Sequence, residues 1–196
     1  MVAATEIAIV TDPPYGVGKA EWDGVVPSME WLDWAVKHCE CALVTCGNGN
    51  QHLYPPPAWT LCWARPGSVQ YAKGTVGAAC FSHWEPVLCY VRNPMRVDYR
   101  SFNPQTDSDA KGDHPCPKPV KVMEWLIQST EAQTILDPFM GSGTTGVACI
   151  RTGRRFIGIE IEPKYCQIAV ERMESELAQP CLPTLEPQQA KQEALL

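Results

Sequence analysis

No stretch of the 196-residue chain is apolar for long enough to cross a bilayer. No basic segment followed by an apolar core opens the sequence, so a secretory signal is not expected and a cytoplasmic location is the default reading. There is no internal repeat and no second compositional block, which leaves one domain. A paired Cys-x-x-Cys is also missing, so no structural metal is expected, although His38-Cys39-x-Cys41 alone could suggest one. The ten cysteines sit mostly inside apolar runs such as Ala148-Cys149-Ile150, and reduced thiols acting as small core residues fit them better than disulfides. An overall basic excess is lacking too. The net charge of −6 does not suggest a general nucleic-acid coat. The charge is uneven, however: residues 60–121 hold eight basic and five acidic side chains, whereas residues 171–196 hold two and five.

What is present is a core. Hydrophobic residues make up 45% of the chain, enough for a folded domain. Short apolar strands are expected at 5–11, 41–46, 59–64, 86–91, 134–136 and 155–160. Helices are expected at about 29–38, from Lys118-Pro119 through Ile127, at 144–151 and at 163–177. Residues 65–80 show no clear period, and 92–117 read as one long loop. Past Pro180 no periodic face remains, so a disordered tail is expected over 179–196. Strands alternating with helices indicate a doubly wound, mostly parallel α/β sheet.

Two motifs stand where such strands end. Asp137-Pro138-Phe139-Met140-Gly141-Ser142-Gly143 follows Thr134-Ile135-Leu136 and opens a helix. Glycines let backbone approach a ligand, and the free N–H groups of a helix start attract a carboxylate. Glu160 ends the next strand, where an acid can grip ribose hydroxyls. A phosphate-binding P-loop needs Lys then Ser or Thr after its last glycine, and Gly143 leads into Thr144-Thr145 instead. Gly146 does meet the spacing of a dinucleotide fingerprint, but that reading leaves the other motif unexplained.

That other motif is Asp12-Pro13-Pro14-Tyr15, after Ile7-Ala8-Ile9-Val10. An exocyclic amine is a weak nucleophile because its lone pair is conjugated with the ring. Accepting both amino hydrogens favours a pyramidal nitrogen. Asp12 and the Pro13 carbonyl supply two acceptors, two prolines stiffen the turn, and Tyr15 offers a face for an unstacked base. Alone, the tetrapeptide reads equally well as a stiff turn with a packed tyrosine.

Four blocks in order resemble the amino-group DNA methyltransferases of the beta group, which use S-adenosylmethionine to make N6-methyladenine or N4-methylcytosine. They are Asp12-Pro13-Pro14-Tyr15-Gly16, His114-Pro115-Cys116-Pro117-Lys118-Pro119, Ile135 through Thr145, and Phe156 through Tyr165. The resemblance implies a class I methyltransferase fold, a seven-stranded sheet with one reversed strand. It implies cofactor contacts at Asp137, Pro138, Phe139, Gly141, Ser142, Gly143 and Glu160, with Lys118 close to that pocket. It implies catalysis at Asp12, Pro13, Pro14 and Tyr15 on a base flipped out of double-stranded DNA. Aspartate at the first motif position favours adenine over cytosine within the group. A homodimer is a further expectation of the resemblance.

The expected domain spans 1–178, with a short target-recognition region near 65–113. Members of the group typically carry a larger insertion there. Arg92, Arg96 and Arg100 are the candidates for phosphate contacts, and His83 and Trp84 for the rim of a base pocket. The competing reading is a non-catalytic module that senses S-adenosylmethionine or DNA.

Overall fold

The computed structural model describes residues 6–16, 18, 23–66, 70–73, 79–91, 98–103 and 118–179. The strands are β1 (Ile7–Thr11), β2 (Cys41–Thr45), β3 (Trp59–Ala64), β4 (Gln70–Lys73), β5 (Ala79–Ser82), β6 (Trp84–Val91), β7 (Tyr99–Ser101), β8 (Thr134–Asp137) and β9 (Arg155–Gly158). The helices are α1 (Glu30–His38), α2 (Val120–Gln128), α3 (Thr144–Thr152) and α4 (Pro163–Ala178). Seven strands form one sheet in the order β7-β3-β6-β2-β1-β8-β9. Its strands are parallel except β6, which runs antiparallel to both β2 and β3. This is the expected class I methyltransferase architecture, with one reversed strand.

The central strands are buried on both faces, so they are apolar without alternation. All of β2 is buried, and so is β1 from Ala8 to Thr11. Successive side chains still serve different layers. Ala8 and Val10 join Leu43, Leu61 and Val87 under α2 and α3, whereas Ile9 joins Ala42, Val44 and Leu88 against Leu32 and Ala35 of α1. None of the helices over the described residues is long and apolar enough to cross a membrane.

The chain leaves β1 toward β2 and returns much later to β8 on β1's other side. The order therefore reverses between β1 and β8, where open α/β sheets leave a crevice beyond the strand ends. Both motifs flank that point.

Four strands differ from the sequence expectation. The aperiodic stretch 65–80 contains β4 and the first half of β5, a hairpin paired Gln70 to Ser82 and outside the main sheet. A strand too short to show a period, β7, lies within the long loop and pairs with β3. Finally, β6 begins two residues before the expected Pro86. Trp84, Glu85 and Pro86 pair with β3 alone, and pairing with β2 starts at Val87. Proline has no N–H for a ladder, so it is tolerated where the strand still lacks its second neighbour. The expected tail lies outside the described residues apart from Gln179.

Candidate active site

Parallel pairing of β1 with β8, Ile9 opposite Leu136, brings both motifs to one end of the sheet. The Thr11 hydroxyl donates to Asp137 Oδ1 at 2.6 Å and ties the two strand ends together. Asp137 also accepts from the Thr145 hydroxyl (2.5 Å, Oδ2) and from the Phe139 N–H (3.0 Å, Oδ1). Burial pushes the Asp137 carboxyl up to about 6, although the bonds from Thr11, Thr145 and Phe139 pull the other way.

The folded value lies above the ordinary 3.8, so the protonated carboxyl's contribution is full below about pH 4 and lost as pH rises through about 6. Two units correspond to roughly 3 kcal/mol. Asp137→Asn cannot ionise and can still match these donors, because the Thr145 hydroxyl can turn to accept. Relative to wild type, its melting temperature is expected to rise by roughly 5–10 °C between pH 4 and pH 7. Calorimetric melts check this, and an unchanged difference across that range would sink it.

The glycine loop is built for close approach. Gly141 and Gly143 have φ of 51° and 80°, in the left-handed region that side chains disfavour. A Cβ on Gly143 would meet Ala169 Cβ at 2.8 Å and Cα at 2.9 Å, so α4 packs directly on the loop. No side chain caps the start of α3. Glu160 takes the Gly141 N–H on Oε2 and the Glu162 N–H on Oε1, both at 2.9 Å. Each oxygen keeps a second acceptor position. Ile159 and Ile161 flank this acid and are exposed. Phe139 packs edge-on to Trp31 of α1 at 5.3 Å, while Ser142 is buried and accepts from Arg172 through its carbonyl (2.6 Å) and hydroxyl (3.0 Å). Pro138 is half-buried in the turn.

At the end of β1, Asp12 has a side chain 24% exposed. Its Oδ1 accepts from the Thr45 hydroxyl and from the Tyr15 hydroxyl, both at 2.5 Å. No hydrogen bond among the described residues goes to Oδ2. Pro13 is buried and Pro14 half-buried. Asp23 Oδ1 holds the backbone N–H groups of Tyr15 (2.8 Å) and Gly16 (3.0 Å), and Asn50 donates to the Tyr15 carbonyl. The Tyr15 ring lies so close to Gly47 that a Cβ there would sit 2.9 Å from Cε2.

Lys118 stands behind this pair. Its Nζ donates to the Tyr15 hydroxyl (2.6 Å) and to Glu85 Oε2 (2.7 Å), lies 3.5 Å from Asp12 Oδ1, and sits over the rings of Tyr15 and Trp63. Glu85 Oε1 meets Arg65 Nη1 at 2.5 Å. Burial pulls the Lys118 amine down, yet the Asp12 and Glu85 carboxylates outweigh it and hold the group above its ordinary range, as an ammonium. Burial, with the Asp12 and Glu85 charges, keeps Tyr15 well above the usual phenol range.

The geometry thus gathers Asp12, Pro13, Pro14 and Tyr15 beside Asp137 through Gly143 and Glu160. Lys118, expected near the cofactor loop, has its described partners on the Asp12 side. Arg100 is exposed on β7. Arg92, Arg96 and residues 114–117 lie outside the described residues. His83 and Trp84 are exposed beside the site, the Trp84 carbonyl accepting from Asn48 Nδ2.

Sequence reasoning missed Thr45, Arg65 and Glu85. Only Glu85 left a signal, as a lone acid just before an apolar strand. Among the described residues seven cysteines are free, and burial pushes the thiols of Cys46, Cys89 and Cys149 up to about 12, so none of these three is a thiolate at neutral pH. Among the described residues no group of three or more His, Cys, Asp or Glu could hold a metal.

Comparison with known proteins points one way. A family model for N6/N4 methyltransferases, described as DNA methylase, matches residues 62–171. The chain is 47% identical over 183 residues to the putative methylase YubD of Escherichia coli K12, covering 84% of this chain and 80% of that protein. It is 52% identical over 67 residues to the type II methyltransferase M2.DpnII of Streptococcus pneumoniae, covering 33% of this chain and only 25% of that protein's length. Among solved structures, the M1.HpyAVI-SAM complex superposes with a TM-score of 0.59 at 25% identity, covering 86% of this chain and 89% of the other.

Proposed function

Because the chain belongs to the N6/N4 DNA methylase family, we propose that it moves a methyl group from S-adenosylmethionine to the N6 amine of an adenine flipped out of double-stranded DNA. The observation that carries this is the asymmetry of Asp12. Oδ1 is occupied by Thr45 and Tyr15, whereas Oδ2 is left to a ligand, one strand away from the glycine loop. A carboxylate oxygen held at a crevice mouth by two hydroxyls suits one amino hydrogen of a base, and the Pro13 carbonyl suits the other.

The crevice fits the cofactor. The uncapped start of α3 suits its carboxylate, Glu160 its ribose hydroxyls, and the exposed Ile159 and Ile161 the flanks of its adenine. Phe139, Gly141, Ser142 and Gly143 form the wall, and Asp137 with Pro138 holds the loop in place. When bound, S-adenosylmethionine supplies an electrophilic methyl group on a sulfonium.

The protein's own residues do the rest. Asp12 and Pro13 draw off the amino hydrogens so that the nitrogen lone pair is less conjugated. Asp12 then takes up the proton the amine releases. The Tyr15 ring offers a stacking face to the extruded base. Arg100, with Arg92 and Arg96, contacts phosphates, within the short recognition region 65–113. Adenine is preferred on the aspartate at position 12, a tendency of the group.

The test is transfer of labelled methyl groups to unmethylated DNA, followed by mass spectrometry of the nucleosides. N6-methyldeoxyadenosine is the expected product. N4-methyldeoxycytidine alone would overturn the choice of base, and cofactor binding without label in DNA or RNA would leave only a sensing module.

A further inference from the structure

Glu85 and Lys118 form a buried ionic pair that the reaction as described does not use. Glu85 is 4% exposed and the Lys118 side chain 9%, and Arg65 closes the cluster on the far carboxylate oxygen. Such a pair is poor value as a stabiliser, because apolar residues of the same volume commonly do as well. Its position is more informative than its strength.

Hydrogen-bond direction makes the case. An ammonium donates and cannot accept, so the Tyr15 oxygen must accept from Lys118 at 2.6 Å. The one proton of the phenol is then left for Asp12 Oδ1, at 2.5 Å. Thr45 aims its single proton at the same oxygen, 2.5 Å away, against 3.3 Å to the Thr11 carbonyl. Direction therefore runs from Lys118 through Tyr15 to one oxygen of Asp12. Glu85 holds Lys118 in place by accepting a second of its protons.

We infer that Lys118, anchored by Glu85, is a positioning residue that aims the Tyr15 hydroxyl at Asp12 Oδ1 and so reserves Oδ2 for the target amine. This rests on the methyltransferase reading above. Without Lys118 the phenol turns freely, and Asp12 can swing its vacant oxygen inward.

The experiment is a double-mutant cycle on turnover. Lys118→Met and Tyr15→Phe are each expected to lower kcat on the order of 10- to 100-fold, with cofactor affinity by calorimetry within about twofold of wild type. The phenylalanine keeps the ring, so base stacking is retained. Combined, they are expected to be no slower than Tyr15→Phe alone, because both break one chain. If Lys118→Met costs the same factor in the Tyr15→Phe background as in wild type, the inference is overturned. Should Lys118→Met not fold, Glu85→Gln in the same two backgrounds carries the cycle.

A second readout needs no activity. In protein labelled with 13C at tyrosine Cζ, the resonance that disappears in Tyr15→Phe is expected to shift in Lys118→Met and in Glu85→Gln. An unmoved resonance sinks the inference whatever the turnover. A shifted resonance in a protein that methylates no nucleic acid upholds the hydrogen-bond chain and removes the reading it serves.

Discussion

Asp12→Ala is expected to lower methyl transfer to DNA by roughly 10³-fold, the scale set by losing a positioned base together with an aimed acceptor. The loss should fall on kcat. The proposed cofactor cradle runs through Asp137, the glycine loop and Glu160, and no hydrogen bond joins those residues to the Asp12 side chain. Cofactor affinity by calorimetry should therefore stay within about twofold of wild type. Asp12→Asn sharpens the test. Its amide oxygen keeps the Thr45 and Tyr15 hydroxyls, so its NH2 stands where Oδ2 stood and can neither accept from the amine nor take its proton; it should retain cofactor binding and remain slow. Turnover of Asp12→Asn within tenfold of wild type would mean that the proton leaves by another route.

Gly143→Ala should be the most damaging small change to the fold. At φ of 80° a Cβ costs about 1–2 kcal/mol from backbone sterics alone. The new carbon would also press on the Cα of Ala169, which is helix backbone and cannot swing aside. Overpacking of that kind adds about 1–3 kcal/mol. The sum is a large share of the 5–15 kcal/mol by which domains are typically stable. A fall in melting temperature of roughly 5–15 °C is expected, with loss of cofactor binding because this residue is the N-cap of α3. Gly153→Ala is the control. It shares the left-handed backbone but a Cβ there meets nothing within 4 Å, so only the steric cost should appear. Equal melting points for the two variants would show that contact with α4 does not matter.

Much of the fold was legible because its strongest signals are local. An apolar β-branched run such as Ile7–Thr11, buried on both faces, reads as a parallel strand without knowledge of its neighbours. The glycine loop and Glu160 were legible for a similar reason, since strand, turn and helix follow one another in the chain. The short β7 and the β4–β5 hairpin were not, because their pairing is set by partners and not by their own pattern. The charged cluster was hidden for a deeper reason. Arg65, Glu85 and Lys118 come from the end of β3, the start of β6 and the approach to α2, and only the reversed direction of β6 brings them together. Thr45 reads as one more β-branched residue of a buried strand until its hydroxyl is seen on Asp12.

The bond from Thr11 to Asp137 makes a ruler of the sheet. Neighbouring strands in any sheet lie about 4.8 Å apart, a spacing fixed by backbone hydrogen bonding and not by side chains. With β1 ending in one motif and β8 in the other, the gap between the proposed base and cofactor sites inherits that constant. Changes in surface loops or in the β4–β5 hairpin then leave untouched the distance that the methyl group of the proposed reaction must cover. Under the proposed function, which sequence is read is in this way uncoupled from how far the methyl group must travel.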